Sequence, residues 1–81
     1  NESVSISTNV VTGGQAIVVK SQGNELTLSE VRLYNIAGNE IYRKSVSEEE
    51  STIETPKAQG VYLLNVTLSN NVSKIFKVLV R

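Results

Sequence analysis

The stretch Gly60-Val-Tyr-Leu-Leu-Asn-Val-Thr-Leu68 decides the fold of this chain. Successive side chains of a β-strand point to opposite faces, so residues of one face recur at every second position. An alternating run of this length predicts one long strand with a strongly apolar face. That core face consists of Tyr62, Leu64, Val66 and Leu68.

A second strand follows this stretch after a tight turn. The turn is Ser69-Asn70-Asn71, and asparagine tolerates the left-handed backbone region. Residues 72–80 then return antiparallel to the first strand. The face that carries Val72, Lys74, Phe76, Val78 and Val80 is expected to join the core, apart from Lys74 near the turn.

The opposite face of the returning strand should be in water, yet it carries Ile75 and Leu79 on either side of Lys77, with Arg81 following. An apolar patch flanked by positive charge is typical of a partner-binding surface. The sequence therefore predicts Ile75, Lys77, Leu79 and Arg81 as candidate partner-binding residues. In the alternative interpretation, Ile75 and Leu79 pack beneath the N-terminal strand or a loop.

The rest of the chain repeats the alternation of strand and turn. No stretch keeps apolar residues at helical spacing, whereas period-2 alternation recurs. Residues 16–20 are apolar and rich in β-branched side chains, which predicts a strand buried on both faces or nearly so. Further strands or short connectors are expected at 4–8, 26–28, 31–33, 39–46 and 52–54.

Turn signals separate these strands. Asn35-Ile-Ala-Gly38 has the favoured first and last residues of a type I turn, and the Asn35 side chain is suited to accept local backbone N–H groups. The alternation slips at Ser29-Glu30, which predicts a bulge or a short break. Other turns are expected at 12–14, 22–24 and 56–60.

Composition excludes several classes of protein. The 81 residues suit one domain, 1–81, and contain no His, Cys or Asp, so catalytic triads, zinc sites and thiol chemistry are excluded. We therefore expect a protein that is not an enzyme and has no cofactor. The acidic run Glu48–Glu50 is interpreted as a solvated turn rather than a calcium site, because three adjacent carboxylates do not all reach one ion.

Charge and hydropathy argue against nucleic-acid-binding and membrane-spanning proteins. Eight basic and eight acidic residues leave no net charge, which disfavours a nucleic-acid binder. No apolar run approaches the ~20 residues of a transmembrane helix. No N-terminal basic segment with an apolar core is found, so any signal peptide is expected to belong to a longer precursor.

Short strands without intervening helices predict an all-β protein, a small antiparallel β-sandwich of about seven strands. Strand spacing alone does not distinguish a sandwich from a small barrel. Ordered motifs add to this prediction: Leu33-Tyr-Asn-Ile-Ala-Gly38, then Gly60-Val-Tyr62 with Val66, then the Lys-containing apolar strand at 74–81.

These three blocks, in this order, resemble the C-terminal sorting domain of the type IX secretion system (type A, the Por secretion system). The residues that match the family pattern are Tyr34, Asn35, Gly38, Gly60, Tyr62, Val66, Lys77 and Val78. The chain departs from that pattern at residues 9–13, which lack proline, and at Asn39, where the family often has Arg or Lys.

The resemblance implies an immunoglobulin-like topology and a non-catalytic secretion signal. It implies a cargo that folds in the periplasm of a Gram-negative bacterium and docks on the outer-membrane translocon or its shuttle protein. A surface sortase would then remove the domain and leave the cargo in the extracellular space or on the cell surface. The extreme C-terminus is the part that the family needs for export.

Two other functions stay open on the sequence alone. An adhesive or carbohydrate-binding accessory module would need several exposed aromatic side chains. Tyr62 and Phe76 are expected to be buried, which leaves Tyr34 and Tyr42. A fibronectin-like structural spacer would tolerate further domains after it, whereas a sorting signal must end the polypeptide.

Overall fold

Residues 4–22 and 26–81, the part of the chain that this computed structural model describes, form eight β-strands and no helix. The strands are β1 (Val4–Ile6), β2 (Val10–Val11), β3 (Ala16–Ser21), β4 (Leu28–Asn35), β5 (Glu40–Ser45), β6 (Glu50–Glu54), β7 (Gly60–Leu68) and β8 (Ser73–Val80). The turn predicted at 22–24 includes Gly23 and Asn24, which lie outside the described residues.

The strands form two sheets, one in the order β1-β3-β6 and the other in the order β2-β8-β7-β4-β5. The N-terminal segment contributes β1 to the first sheet and β2 to the second. This arrangement is an immunoglobulin-like sandwich, so the predicted all-β fold is confirmed. Neighbouring strands are antiparallel except β2 and β8, which are parallel; the prediction of about seven antiparallel strands did not include this two-residue strand.

The core lies between the sheets and is centred on β7, whose neighbours are β8 and β4. Leu64, Val66 and Leu68 are fully buried and Tyr62 nearly so, which confirms the predicted core face. The other core side chains are Val4, Val11, Ile17, Val19, Leu28, Val31, Leu33, Ile53, Val78 and Val80.

The prediction that residues 16–20 are buried on both faces is wrong. Ile17 and Val19 are buried, but Ala16 and Lys20 are exposed and Val18 is half-buried. The reason is that an antiparallel sheet commonly packs on one face only and leaves the other in water.

The predicted core face of β8 is right for its second half only. Val78 and Val80 are buried and Phe76 is half-buried, but Val72 is 53% exposed. The three-stranded sheet therefore does not cover the beginning of β8. There, Lys74 Nζ lies 5.3 Å from the centre of the Phe76 ring, a cation–π contact.

The turn at Asn35–Gly38 has the predicted geometry. The Gly38 N–H donates to the Asn35 carbonyl at 3.0 Å, and Asn35 Oδ1 accepts from the N–H groups of Ala37 (3.0 Å) and Asn39 (2.9 Å). Gly38 has φ 92°, a conformation that glycine adopts without strain. At the other predicted tight turn, Asn71 has φ 68°.

The predicted irregularity at Ser29 is also confirmed. The register of β4 against β7 shifts between Leu28 and Glu30, as a bulge requires. Because of this extra residue, Leu28 and Val31 both reach the core although their separation is odd.

Two strands from different sheets, β5 and β6, are joined by side chains that bind backbone. The Tyr42 hydroxyl donates to the Glu54 carbonyl at 3.2 Å, and Lys44 Nζ donates to the Thr52 carbonyl at 3.2 Å. Burial, with a smaller contribution from the Glu54 charge, raises the pKa of Tyr42. These bonds close one side of the sandwich and occupy carbonyls on the outer edge of β6.

We expect Leu64→Ala or Val66→Ala to lower the free energy of unfolding by about 2–5 kcal/mol, because each opens a cavity beside the central strand. Chemical denaturation measures this change. Lys57→Ala is the matched control, since Lys57 is exposed. A midpoint shift for Leu64→Ala no larger than that of the control would contradict the face assignment.

We expect Gly38→Val to destabilise the domain by about 1–3 kcal/mol and Asn39→Arg to leave stability unchanged. A Cβ at Gly38 would meet nothing within 4 Å, so the cost is backbone strain at φ 92° rather than a clash. Thermal denaturation of both variants tests this. Equal stability of Gly38→Val and the parent chain would remove the requirement for glycine.

Candidate partner-binding surface

The outer face of the five-stranded sheet contains the predicted partner-binding residues. Leu79 of β8 lies opposite Val10 of β2 and Val61 of β7, and residues directly opposite one another share a face. In the same way Lys77 lies opposite Leu63. We call this surface the β8 face, and it consists of Val10, Val61, Leu63, Ile75, Lys77 and Leu79.

The apolar residues of the β8 face are accessible to solvent. Ile75 is 62% exposed, and Leu79 and Val10 are each 38% exposed. The N-terminal residues that the structure describes, from Val4 onward, do not cover them, because β2 pairs along the edge of β8 instead of crossing over it: the Leu79 N–H donates to the Asn9 carbonyl at 2.8 Å. The alternative in which Ile75 packs beneath an N-terminal strand is thus not what the structure shows.

The positive charge at the β8 face comes from Lys77 and from Arg81, which follows β8. On the adjoining strands, Arg32 Nε lies 2.7 Å from Glu30 and Arg43 Nε lies 3.3 Å from Glu40, so these carboxylates already have partners. The hydrogen bonds of Arg32 to Tyr34 and Glu30 raise its pKa. Lys77 and Arg81 are exposed, and neither has a carboxylate within 4 Å in the described part of the chain.

Most of the residues in the sequence motif shape the fold and do not form a surface. Asn35 and Gly38 build the β4–β5 turn, whereas Val66 and Val78 are core residues. Gly60, with φ 152°, begins β7 in a conformation that L side chains rarely adopt.

Tyr62 of the motif is nine-tenths buried, and its hydroxyl donates to the Ala58 carbonyl four residues upstream at 2.8 Å. This contact has the form of the tyrosine corner of β-sandwiches. The interpretation of Tyr62 as an inward side chain with its hydroxyl bonded at the rim is what the structure shows.

Tyr34 and Lys77 are the two motif residues that face outward. Tyr34 lies opposite Leu63, and Leu63 lies opposite Lys77, so the three form one row across β4, β7 and β8. The half-buried Tyr34 hydroxyl accepts a hydrogen bond from Arg32 Nη1 at 3.4 Å. Two motif residues, Tyr34 and Lys77, therefore lie on the outer face, on either side of Leu63.

Sequence reasoning missed Val10, Val61 and Leu63 as members of this surface. The contribution of Val10 depends on the parallel pairing of β2 with β8, and the apolar pair Val10-Val11 was the one available signal. Asn65 was missed too: its Oδ1 is buried between cross-strand neighbours and has no hydrogen-bond partner among the described residues.

A family model described as "Secretion system C-terminal sorting domain" matches residues 3–81, essentially the whole chain. The chain belongs to this family. Its members are type IX secretion signals, which makes this sorting domain part of a secreted or cell-surface protein. No curated protein matches the chain.

Among solved structures, the sorting domain is similar to the CARDB domain of the PF1109 protein from Pyrococcus furiosus, crystallised in complex with di-metal ions. The identity is 27%, the TM-score is 0.47, and the match covers 96% of this chain and 90% of that one. In the described part of this chain, no three acidic, His or Cys side chains lie close enough to hold a metal ion, and no helix is long and apolar enough to cross a membrane.

We expect Ile75→Ser to change the free energy of unfolding by less than about 0.5 kcal/mol, because its side chain is largely in water. Val78→Ser, three residues along β8, should cost more than about 2 kcal/mol, because it places a hydroxyl in the core. Denaturation midpoints of the two variants test the exposure of the β8 face. A loss of stability in Ile75→Ser that approaches that of Val78→Ser would show that Ile75 packs against the domain.

Proposed function

We propose that this sorting domain is a non-catalytic signal that directs a cargo protein through the type IX outer-membrane translocon. The match of the family model to residues 3–81 carries this proposal. The cargo folds in the periplasm, and the domain docks on the translocon or its shuttle protein. A sortase then cleaves the domain, and the cargo is released or attached at the cell surface.

The chemistry of the chain supports a signal without catalysis. The domain lacks His and Cys, the common general base and the strongest side-chain nucleophile. Two of its carboxylates, Glu30 and Glu40, hold arginines on the sheet surface. Tyr62 uses its hydroxyl to fix its own strand.

The same geometry favours this function over carbohydrate binding. A sugar-binding platform needs aromatic rings side by side on one exposed face. Here Tyr62 is in the core, Phe76 lies under Lys74, and Tyr42 binds the Glu54 carbonyl at the sandwich side. Tyr34 is the one ring on the outer face, and it is half-buried.

We assign recognition by the secretion machinery to Ile75, Lys77, Leu79 and Arg81. Three of these residues alternate along β8 and Arg81 follows in the same phase, so all four project from one side of the strand. Together they present apolar area beside unpaired positive charge. Such a surface suits a transient protein contact, because it is apolar enough to bind and charged enough to stay soluble.

The test is surface delivery of a reporter protein fused in front of the domain, in a host with a type IX secretion system. We expect the intact domain to deliver the reporter. Removing residues 77–81, or appending a folded domain after Arg81, should stop delivery. Truncation also removes Val78 and Val80 from the core, so point variants are needed to separate recognition from folding.

The decisive variant is Ile75→Ser combined with Leu79→Ser. We expect a folded domain that delivers at least about tenfold less reporter, equivalent to a loss of about 1.4 kcal/mol of binding. The matched control is Ile41→Ser with Val72→Ser, which removes two exposed apolar side chains (44% and 53%) away from the β8 face. Normal delivery by a folded Ile75/Leu79 variant would show that this surface is not the one recognised.

A further inference from the structure

The edges of the two sheets differ in how well they are protected. Exposed strand edges carry unpaired backbone groups that pair readily with another chain, and proteins protect them with charge, bulges or short strands. At β5 the protection is Glu40, Arg43 and Lys44, together with a register shift against β4. At β6, the Thr52 and Glu54 carbonyls are bonded by side chains of β5. β1 is three residues long.

The edge of β8 is protected only at its C-terminal end. Its neighbour β2 has two residues and pairs with Leu79 and Val80. The pairing does not extend further upstream, because the Ser7 N–H donates to the Val18 carbonyl of β3 at 2.9 Å instead. The preceding residues, Ser73–Lys77, have β7 on one side and no described strand on the other.

The direction of the free backbone groups follows from the bonds that are made. The N–H groups of Leu79 and Arg81 point away from β7, since they donate to the carbonyls of Asn9 and Val11 at 2.8 Å each. Backbone groups alternate in direction along a strand, so the N–H and C=O groups of Ile75 and Lys77 also point to the open side. These are the groups that an added strand would pair with.

The side chains beside this open edge define the chemistry of an incoming strand. Ile75 and Leu79 offer apolar area, and Lys77 between them carries a positive charge that no described carboxylate neutralises. Side chains directly opposite one another on paired strands lie about 5 Å apart. A strand added here is therefore matched when it places a carboxylate near Lys77 and an apolar side chain near Ile75, since Leu79 already lies opposite Val10.

We propose that the open edge at Ser73–Lys77 accepts an extended acidic and apolar segment of a partner protein, which pairs with β8 as an additional strand and continues the line of β2. This inference deepens the proposed function and rests on it for the identity of the partner as a secretion component. Strand addition supplies affinity through the backbone and specificity through alternate side chains.

The first experiment measures amide hydrogen exchange in the purified 81-residue chain by NMR. The probes are two capped seven-residue peptides with Val at positions 2 and 6, Thr at positions 1, 3, 5 and 7, and either Glu or Lys at position 4, so that Val and the charged residue share one face of the added strand. We expect the Glu peptide, at about ten times its dissociation constant, to slow exchange at Ile75 and Lys77 by about tenfold. The Lys peptide should have no effect, and Lys77→Glu should reverse this preference.

The outcomes of this experiment are distinct. Unchanged exchange with both peptides overturns strand addition, and equal slowing by both overturns the charge match. Slowing that depends on protein concentration without any peptide shows that the occupant is a second copy of this chain, which also overturns the proposal.

The second experiment compares Ile75→Pro with Ile75→Ser in the reporter assay. Proline removes the outward N–H and is tolerated on sheet edges, whereas serine keeps that N–H and removes the same apolar side chain. We expect Ile75→Pro to deliver at least about threefold less reporter than Ile75→Ser at matched thermal stability. Equal delivery by the two variants overturns recognition through the edge.

The experiments distinguish failure of the proposed function from failure of the strand-addition proposal. If deleting the whole domain leaves delivery unchanged, the proposed function is wrong, but slowed exchange with the Glu peptide still shows a strand-accepting edge. If the domain is needed for delivery and the peptides have no effect, the function stands and the edge proposal is wrong.

Discussion

The packing of one face of β7 against the opposite sheet is the interaction on which the rest of the structure depends. Leu64, Val66 and Leu68 are fully buried, and both neighbours of β7 take their register from it. A domain of this size buries only about 60% of its unfolded surface, so a few core side chains supply much of its stability. The outer face of the same strands is not needed for the core and is therefore available for binding a partner.

This division explains where the motif residues lie. Tyr62 fixes the beginning of β7 through the Ala58 carbonyl, and Gly38 lets the chain turn between β4 and β5. Residues of this kind are needed by any partner-binding surface on the sheet, although they need not touch the partner. Most residues of the motif are thus explained by the fold alone. The argument for function depends on Lys77 and the exposed residues beside it.

Local rules predicted the local features well. The alternation at 60–68, the turn at Asn35 and the bulge at Ser29 follow from side-chain period and turn chemistry within a few residues. The misses depended on tertiary contacts. The exposure of Val72 and Lys20 depends on how far each sheet is covered by the other, and the role of Val10 depends on a parallel pairing with a strand about 70 residues away. No local sequence pattern specifies how far one sheet covers the other or which distant strands pair.

The short β2 connects the fold to the proposed recognition. The Gly13 N–H donates to the Arg81 carbonyl at 3.4 Å, and a Cβ at Gly13 would lie 2.6 Å from the Lys57 carbonyl oxygen, so this end of the domain is tightly packed. The end of β8 is thereby held in place while its beginning keeps a free edge. A strand anchored at one end and open at the other offers a partner a preorganised template, and binding then orders little of the domain itself.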